Sequence, residues 1–170
     1  MWALGNVTNQ FQLKHMASAE ARLVRFNLTH PDRPKRNPFR LVPAAVFADP
    51  QVATVGATER RLRADGRTYL AASSDYAAAA YGWALEDTSS FVKVLADPAT
   101  RRLLGAHIIG PQASTLIQPL IQAMCLDNTV EIAVGVLYIH PALREVVEQA
   151  LLALGPVPSE STSGRPDVRP

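Results

Sequence analysis

The strongest hydrophobic pattern in the chain is a one-sided stripe. Ala113, Leu116, Ile117, Leu120, Ile121 and Met124 fall at i, i+3, i+4, i+7, i+8 and i+11, the period of a helix with one buried face. Gly110-Pro111 opens that helix, and Pro119 inside it predicts a kink, because proline removes a backbone donor and clashes with the preceding turn. A second stripe, Leu143, Val146, Val147, Ala150, Leu151 and Leu154, predicts a helix over 141–154, with Pro141 at its first position and Gly155 as its stop. A short helix is expected at 130–134. Ala17, Ala21, Val24 and Leu28 predict an early helix over 14–28.

The middle of the chain is strand-like. Residues 91–96 and 103–109 are β-rich runs flanking Asp97-Pro98-Ala99-Thr100, a hairpin pattern. Shorter strand candidates lie at 42–48, 51–55 and 68–73. Between the last two, Thr58 begins a helix that stops at Asp65-Gly66. Ala3-Leu4-Gly5 reads as the end of a buried strand. Strands followed by helices, with hairpin connections, imply an α+β fold: an antiparallel sheet covered by helices on one side. A parallel dinucleotide-binding sheet does not fit that order. Residues 30–41 hold three prolines and read as a basic linker between a first segment, 1–29, and a main domain, 42–154. Residues 155–170 lack a stripe and are rich in Pro, Ser and Gly, so they are expected to be disordered.

Composition narrows the picture modestly. A hydrophobic fraction of 48% is ample for a core, and a net charge of +2 argues against nucleic-acid or membrane-surface binding. No apolar run reaches membrane-spanning length, and the first residues lack the basic flank and apolar core of a secretory signal. The single cysteine, Cys125, excludes an internal disulfide framework and reads as buried filler. A cytoplasmic protein is expected.

The candidate chemistry lies at His140-Pro141-Ala142-Leu143-Arg144-Glu145. Histidine titrates nearest to neutral pH. A carboxylate accepting one ring N–H fixes the tautomer and frees the other nitrogen for proton transfer. Two readings stand: an acid/base pair, or a helix cap beside a solvated glutamate. His30-Pro31 has Lys35 where the carboxylate would be, so it takes no role, and His107 reads as a sheet histidine.

The His140-Pro141…Glu145 segment resembles the C-terminal signature of the flavin-dependent, pyridine nucleotide-disulfide oxidoreductases. Residues 42–56, VPAAVFADPQVATVG, are similar to the segment that opens that family's interface domain, and 104–110, LGAHIIG, to its hairpin strand. Within the family, 80–89, 116–124 and 139–143 resemble the mycothione reductase branch. The resemblance covers roughly 2–154. It implies a homodimer that uses FAD and NADPH to reduce a low-molecular-weight thiol disulfide. His140 would protonate the departing thiolate in the partner subunit, and Glu145 would orient it. Gly5-Asn6 resembles the end of the family's last FAD-binding strand, with Asn6 standing where an aspartate bonds the flavin's ribityl chain. Asn6 keeps an acceptor oxygen and loses the charge. Leu13-Lys14-His15 resembles the turn into a helix facing the flavin; an ordinary helix start is the other reading. The resemblance also implies that 1–29 is a remnant of the FAD-binding domain and that the chain matches the last third of such an enzyme, without its redox cysteine pair or nucleotide-binding folds. Held alone, the chain is expected to bind neither cofactor tightly. The alternative is a stand-alone dimerisation module without activity.

Overall fold

The computed structural model describes residues 2–36 and 39–155. The tail expected to be disordered lies, from 156 on, outside the described residues. The main domain is a five-stranded antiparallel sheet of β1 (Ala44–Val46), β2 (Val52–Gly56), β3 (Leu70–Asp75), β4 (Phe91–Ala96) and β5 (Leu103–Ile109), in the order β1-β2-β5-β4-β3. The expected hairpin is its centre, with Val94 opposite Ala106 and Val92 opposite Ile108. Alternation sorts the side chains. Ala53, Ile108 and Val92 form one row on the core face, and Val55, Ala106 and Val94 the next. Thr54, His107, Lys93 and Ser73 line the opposite face.

Helices cover the core face. α4 (Ala113–Leu116) and α5 (Gln118–Cys125) pack on β5, α4 also reaches β2, and α7 (Arg144–Leu152) packs on β3 and β4. Both stripes read from the sequence are fully inside: all twelve of their residues are buried. The kink at Pro119 is a break between α4 and α5, with the proline in the first turn of α5, where its missing donor is tolerated. α6 (Val130–Val134) stands where expected, its first turn capped by Thr129.

The other face is not bare. α2 (Glu59–Ala64), capped by Thr58, crosses it, and Leu62 is buried there. Gly105 makes the crossing possible: a Cβ on it would fall 2.0 Å from the Ala57 carbonyl oxygen. A three-residue 3-10 turn at Tyr76–Ala78 and α3 (Ala80–Ala84), unforeseen in the sequence, join β3 to β4. They carry no long stripe and are organised by Tyr76, which is fully buried and donates to the Pro111 carbonyl at 3.0 Å.

α1 (Lys14–Thr29) forms as expected, but its buried face is different. Met16, Ala19, Glu20 and Asn27 are inside, while Leu28 is 60% exposed. The apolar stripe misled because two buried positions are polar clamps. Asn27 holds the backbone of Lys35 at both ends, donating to its carbonyl at 2.9 Å and accepting its N–H at 2.7 Å. The basic linker is therefore fastened to α1, and the Lys35 ammonium sits 4.2 Å from the centre of the Phe26 ring. Ala3 and Leu4 are exposed and unpaired rather than the end of a buried strand, because no strand among the described residues lies beside them.

Candidate functional site

His140 lies in the loop from α6 to α7. The helix starts at Arg144, three residues later than Pro141 suggested. Residues 142–146 instead form a tight turn in which Glu145 N–H bonds the Ala142 carbonyl and Val146 N–H bonds that of Leu143. The His140-Pro141 peptide bond is cis.

Glu145 closes this turn with both oxygens. Oε2 accepts the Ala142 N–H at 2.8 Å, and Oε1 lies 2.7 Å from His140 Nδ1. The Ala142 N–H, followed by His140, holds the carboxyl below the usual glutamate range. An ionised Glu145 accepts the Nδ1 proton, so Nε2 is the free nitrogen. The carboxylate side chain is 16% exposed and the imidazole 68%. The unit thus has a fixed, shielded base and a ring directed outward, whose Nε2 has no partner among the described residues. Tyr138, whose hydroxyl donates to the Ala133 carbonyl at 3.0 Å, pins the loop to α6. Val136, Leu137 and Ile139 around it are exposed. The pairing of His140 with Glu145 was legible in the spacing, whereas the Ala142 N–H and Tyr138 gave no sequence signal.

The second group of candidates sits apart, and no hydrogen bond among the described residues joins it to His140. Gly5 is buried with φ +84°, and Asn6 beside it is exposed. Leu13 is the extended residue before α1, whose first turn has no side-chain cap and no acidic residue. Lys14 bonds Ser18 at 2.8 Å, and His15 donates from Nε2 to the Pro43 carbonyl at 2.8 Å, tying α1 to the start of the main domain.

His107 is structural. Its Nε2 donates to the Ala57 carbonyl, and burial pushes its pKa down, so in the neutral ring Nδ1 accepts the Thr54 hydroxyl proton. Cys125 is exposed rather than buried, since it ends α5 on the side away from the stripe. Among the described residues there is no cluster of three metal-ligating side chains and no helix long and apolar enough to cross a membrane.

The dimerisation domain of the pyridine nucleotide-disulphide oxidoreductases matches residues 42–151. The chain belongs to this family. It is 51% identical over 159 residues to the mycothione reductase of Mycobacterium tuberculosis, covering 91% of this chain and 35% of that protein. It is 33% identical to the dihydrolipoyl dehydrogenase of Corynebacterium glutamicum, covering 88% of this chain and 32% of that one. The chain therefore spans about a third of the length of the curated relatives it matches. The M. tuberculosis LpdA crystal structure superposes with a TM-score of 0.82 at 24% identity, covering 91% of this chain and 34% of that one; this likeness is one of fold. The Escherichia coli flavoprotein disulfide reductase RclA superposes at 0.80 with 25% identity, covering 88% and 34%. The sheet with its covering helices is thus the dimerisation domain of a disulfide oxidoreductase related to mycothione reductase.

Proposed function

We propose that this dimerisation domain supplies a mycothione-type disulfide reductase with both its subunit interface and its acid/base pair. The observation that carries the reading is the 2.7 Å contact between Glu145 and an otherwise exposed His140. With Nδ1 held by the carboxylate, protonated Nε2 gives its proton to the departing thiolate sulfur of a low-molecular-weight disulfide and regains one from solvent. Glu145 keeps the ring orientation through that cycle. A second copy of the chain is the partner. Leu126, Ile132, Val136, Leu137 and Ile139, all exposed, are the apolar side chains it would cover. The stripes of α4, α5 and α7 are not available for this, because they are buried on the chain's own sheet.

FAD and NADPH would supply the electrons when bound. The residues toward the flavin fit such a group in two respects: Asn6 has an exposed amide with no partner among the described residues, and the uncapped start of α1 offers unpaired N–H groups to an electronegative edge. The second reading, a stand-alone dimerisation module without activity, rests on the single cysteine of these 170 residues, which supplies no dithiol.

The test is a hybrid in which this chain replaces the matching third of the M. tuberculosis mycothione reductase. His140→Gln should slow disulfide reduction by roughly 10²–10⁴ and leave flavin reduction by NADPH unchanged. Equal loss of both half-reactions would remove His140 from the proposed role.

A further inference from the structure

The acid/base reading leaves one buried charge unused. Glu20, on the inner face of α1, is only 9% exposed and has no cationic partner among the described residues. Its Oε2 accepts the Gly5 N–H at 2.7 Å and the Thr8 hydroxyl at 3.0 Å, and its Oε1 accepts the Asn9 side-chain N–H at 2.9 Å. Every donor comes from the five residues 5–9. An ionised carboxylate suits them because it only accepts. The same turn is closed by the Thr8 N–H on the Gly5 carbonyl at 2.9 Å, with Gly5 at a positive φ that favours glycine. Asn6 is held between these fixed points, and its amide is the polar side chain of the turn with no partner among the described residues.

We infer that Glu20 is a positioning residue: it fixes the Gly5–Asn9 turn so that Asn6 meets a bound flavin in one orientation. The inference rests on the reading above that this turn faces FAD. Glu20 acts through Asn6 and does not itself touch the cofactor. Its bonds all go to residues 5–9 and none to the main domain. The buried apolar residues of α1, Met16 and Ala19, lie outside the main core cluster, and the His15–Pro43 and Asn27–Lys35 bonds hold α1 without it.

Two measurements test this. In the 170-residue chain, Glu20→Ala should speed hydrogen exchange at the Gly5 amide about 10- to 100-fold, the loss of a charge-assisted bond, and leave Val147 unchanged. Glu20→Gln, which keeps one acceptor oxygen, should fall between. In the mycothione reductase hybrid, Glu20→Ala and Asn6→Ala should each weaken FAD binding about 10- to 100-fold, read by flavin fluorescence on release. The double variant should be no weaker than Asn6→Ala alone, because Glu20 works through Asn6. Additive losses, or an unchanged Gly5 exchange rate, overturn the inference. A wild-type hybrid that holds no FAD overturns instead the reading that the turn meets a flavin, while the Gly5 exchange rate still judges the hold of Glu20 on the turn.

Discussion

Glu145 and Glu20 each reach from a helix to accept a backbone N–H from the turn before it, Ala142 in one case and Gly5 in the other. Each turn then presents an exposed polar side chain: the His140 imidazole and the Asn6 amide. The two differ in how the supporting helix is held. α7 contributes Val146, Val147, Ala150 and Leu151 to the main core, whereas α1 contributes nothing to that cluster and is tied to the main domain by the His15–Pro43 bond and to the linker by Asn27. One presented group is built on the domain's packing, the other on tethers. Disturbing the core should therefore disable the first, and cutting tethers only the second.

The largest expected effect tests the packed end. Leu151 is 1% exposed, so Leu151→Ala removes buried methyl groups and leaves a cavity, at a cost of about 3 kcal/mol. Calorimetry should show a lower midpoint for the main transition, and α7, with the His140 turn, should melt within it. A midpoint unchanged from the parent chain would mean that α7 is not part of the cooperative core.

A charge also holds α7, at its far end. Arg101, 5% exposed and at φ +59°, sends Nη2 to the Gly155 carbonyl at 2.6 Å and pairs through Nε with Glu131 of α6 at 2.7 Å. Its guanidinium lies where the C-terminal end of the α7 dipole is negative. Arg101→Met keeps much of the apolar stem and removes these bonds, so it should cost about 2 kcal/mol in urea unfolding. Equal stability would show that the buried guanidinium gains no more than its desolvation costs.

Legibility in the sequence follows the same division. The His140–Glu145 pair shows itself because five residues separate the partners. The α5 and α7 stripes show themselves because every buried position is apolar. The apolar pattern gives the wrong face of α1 because Glu20 and Asn27 are buried, with partners 11 to 15 and 8 residues away, separations with no periodic signature. The crossing of α2 over the outer face depends on Gly105 meeting Ala57 across the sheet, again a non-local fit. Cys125 was misplaced by a more ordinary cause: one helical position separates the stripe residue Met124 from the exposed side of α5.

The tethered end should respond more weakly. Asn27→Ala removes two backbone bonds from a surface helix and should cost about 1 kcal/mol, confined to α1 and the linker. Proteolysis near 30–36 should quicken, while the main calorimetric transition stays in place. A shift of that transition would show that α1 is packed into the core after all.

The smallest effect, a titration, compares the two carboxylates directly. The Ala142 N–H foremost, then His140, holds Glu145 below the ordinary glutamate value of about 4.3. The Gly5 N–H does the same for Glu20 against the opposing effect of burial. A carboxylate with a depressed folded-state value contributes its stability in full above the unfolded value and loses it as pH falls through the folded one. Both turns should therefore be intact at neutral pH and open only in acid, below about 4.3. The amide proton resonances of Ala142 and Gly5 report each event separately by NMR. Both should hold their hydrogen-bonded positions down to that pH and then move. Movement of the Gly5 resonance alone above about 4.3 would mean that burial outweighs its three donors and that Glu20 holds the turn less firmly than Glu145 holds His140.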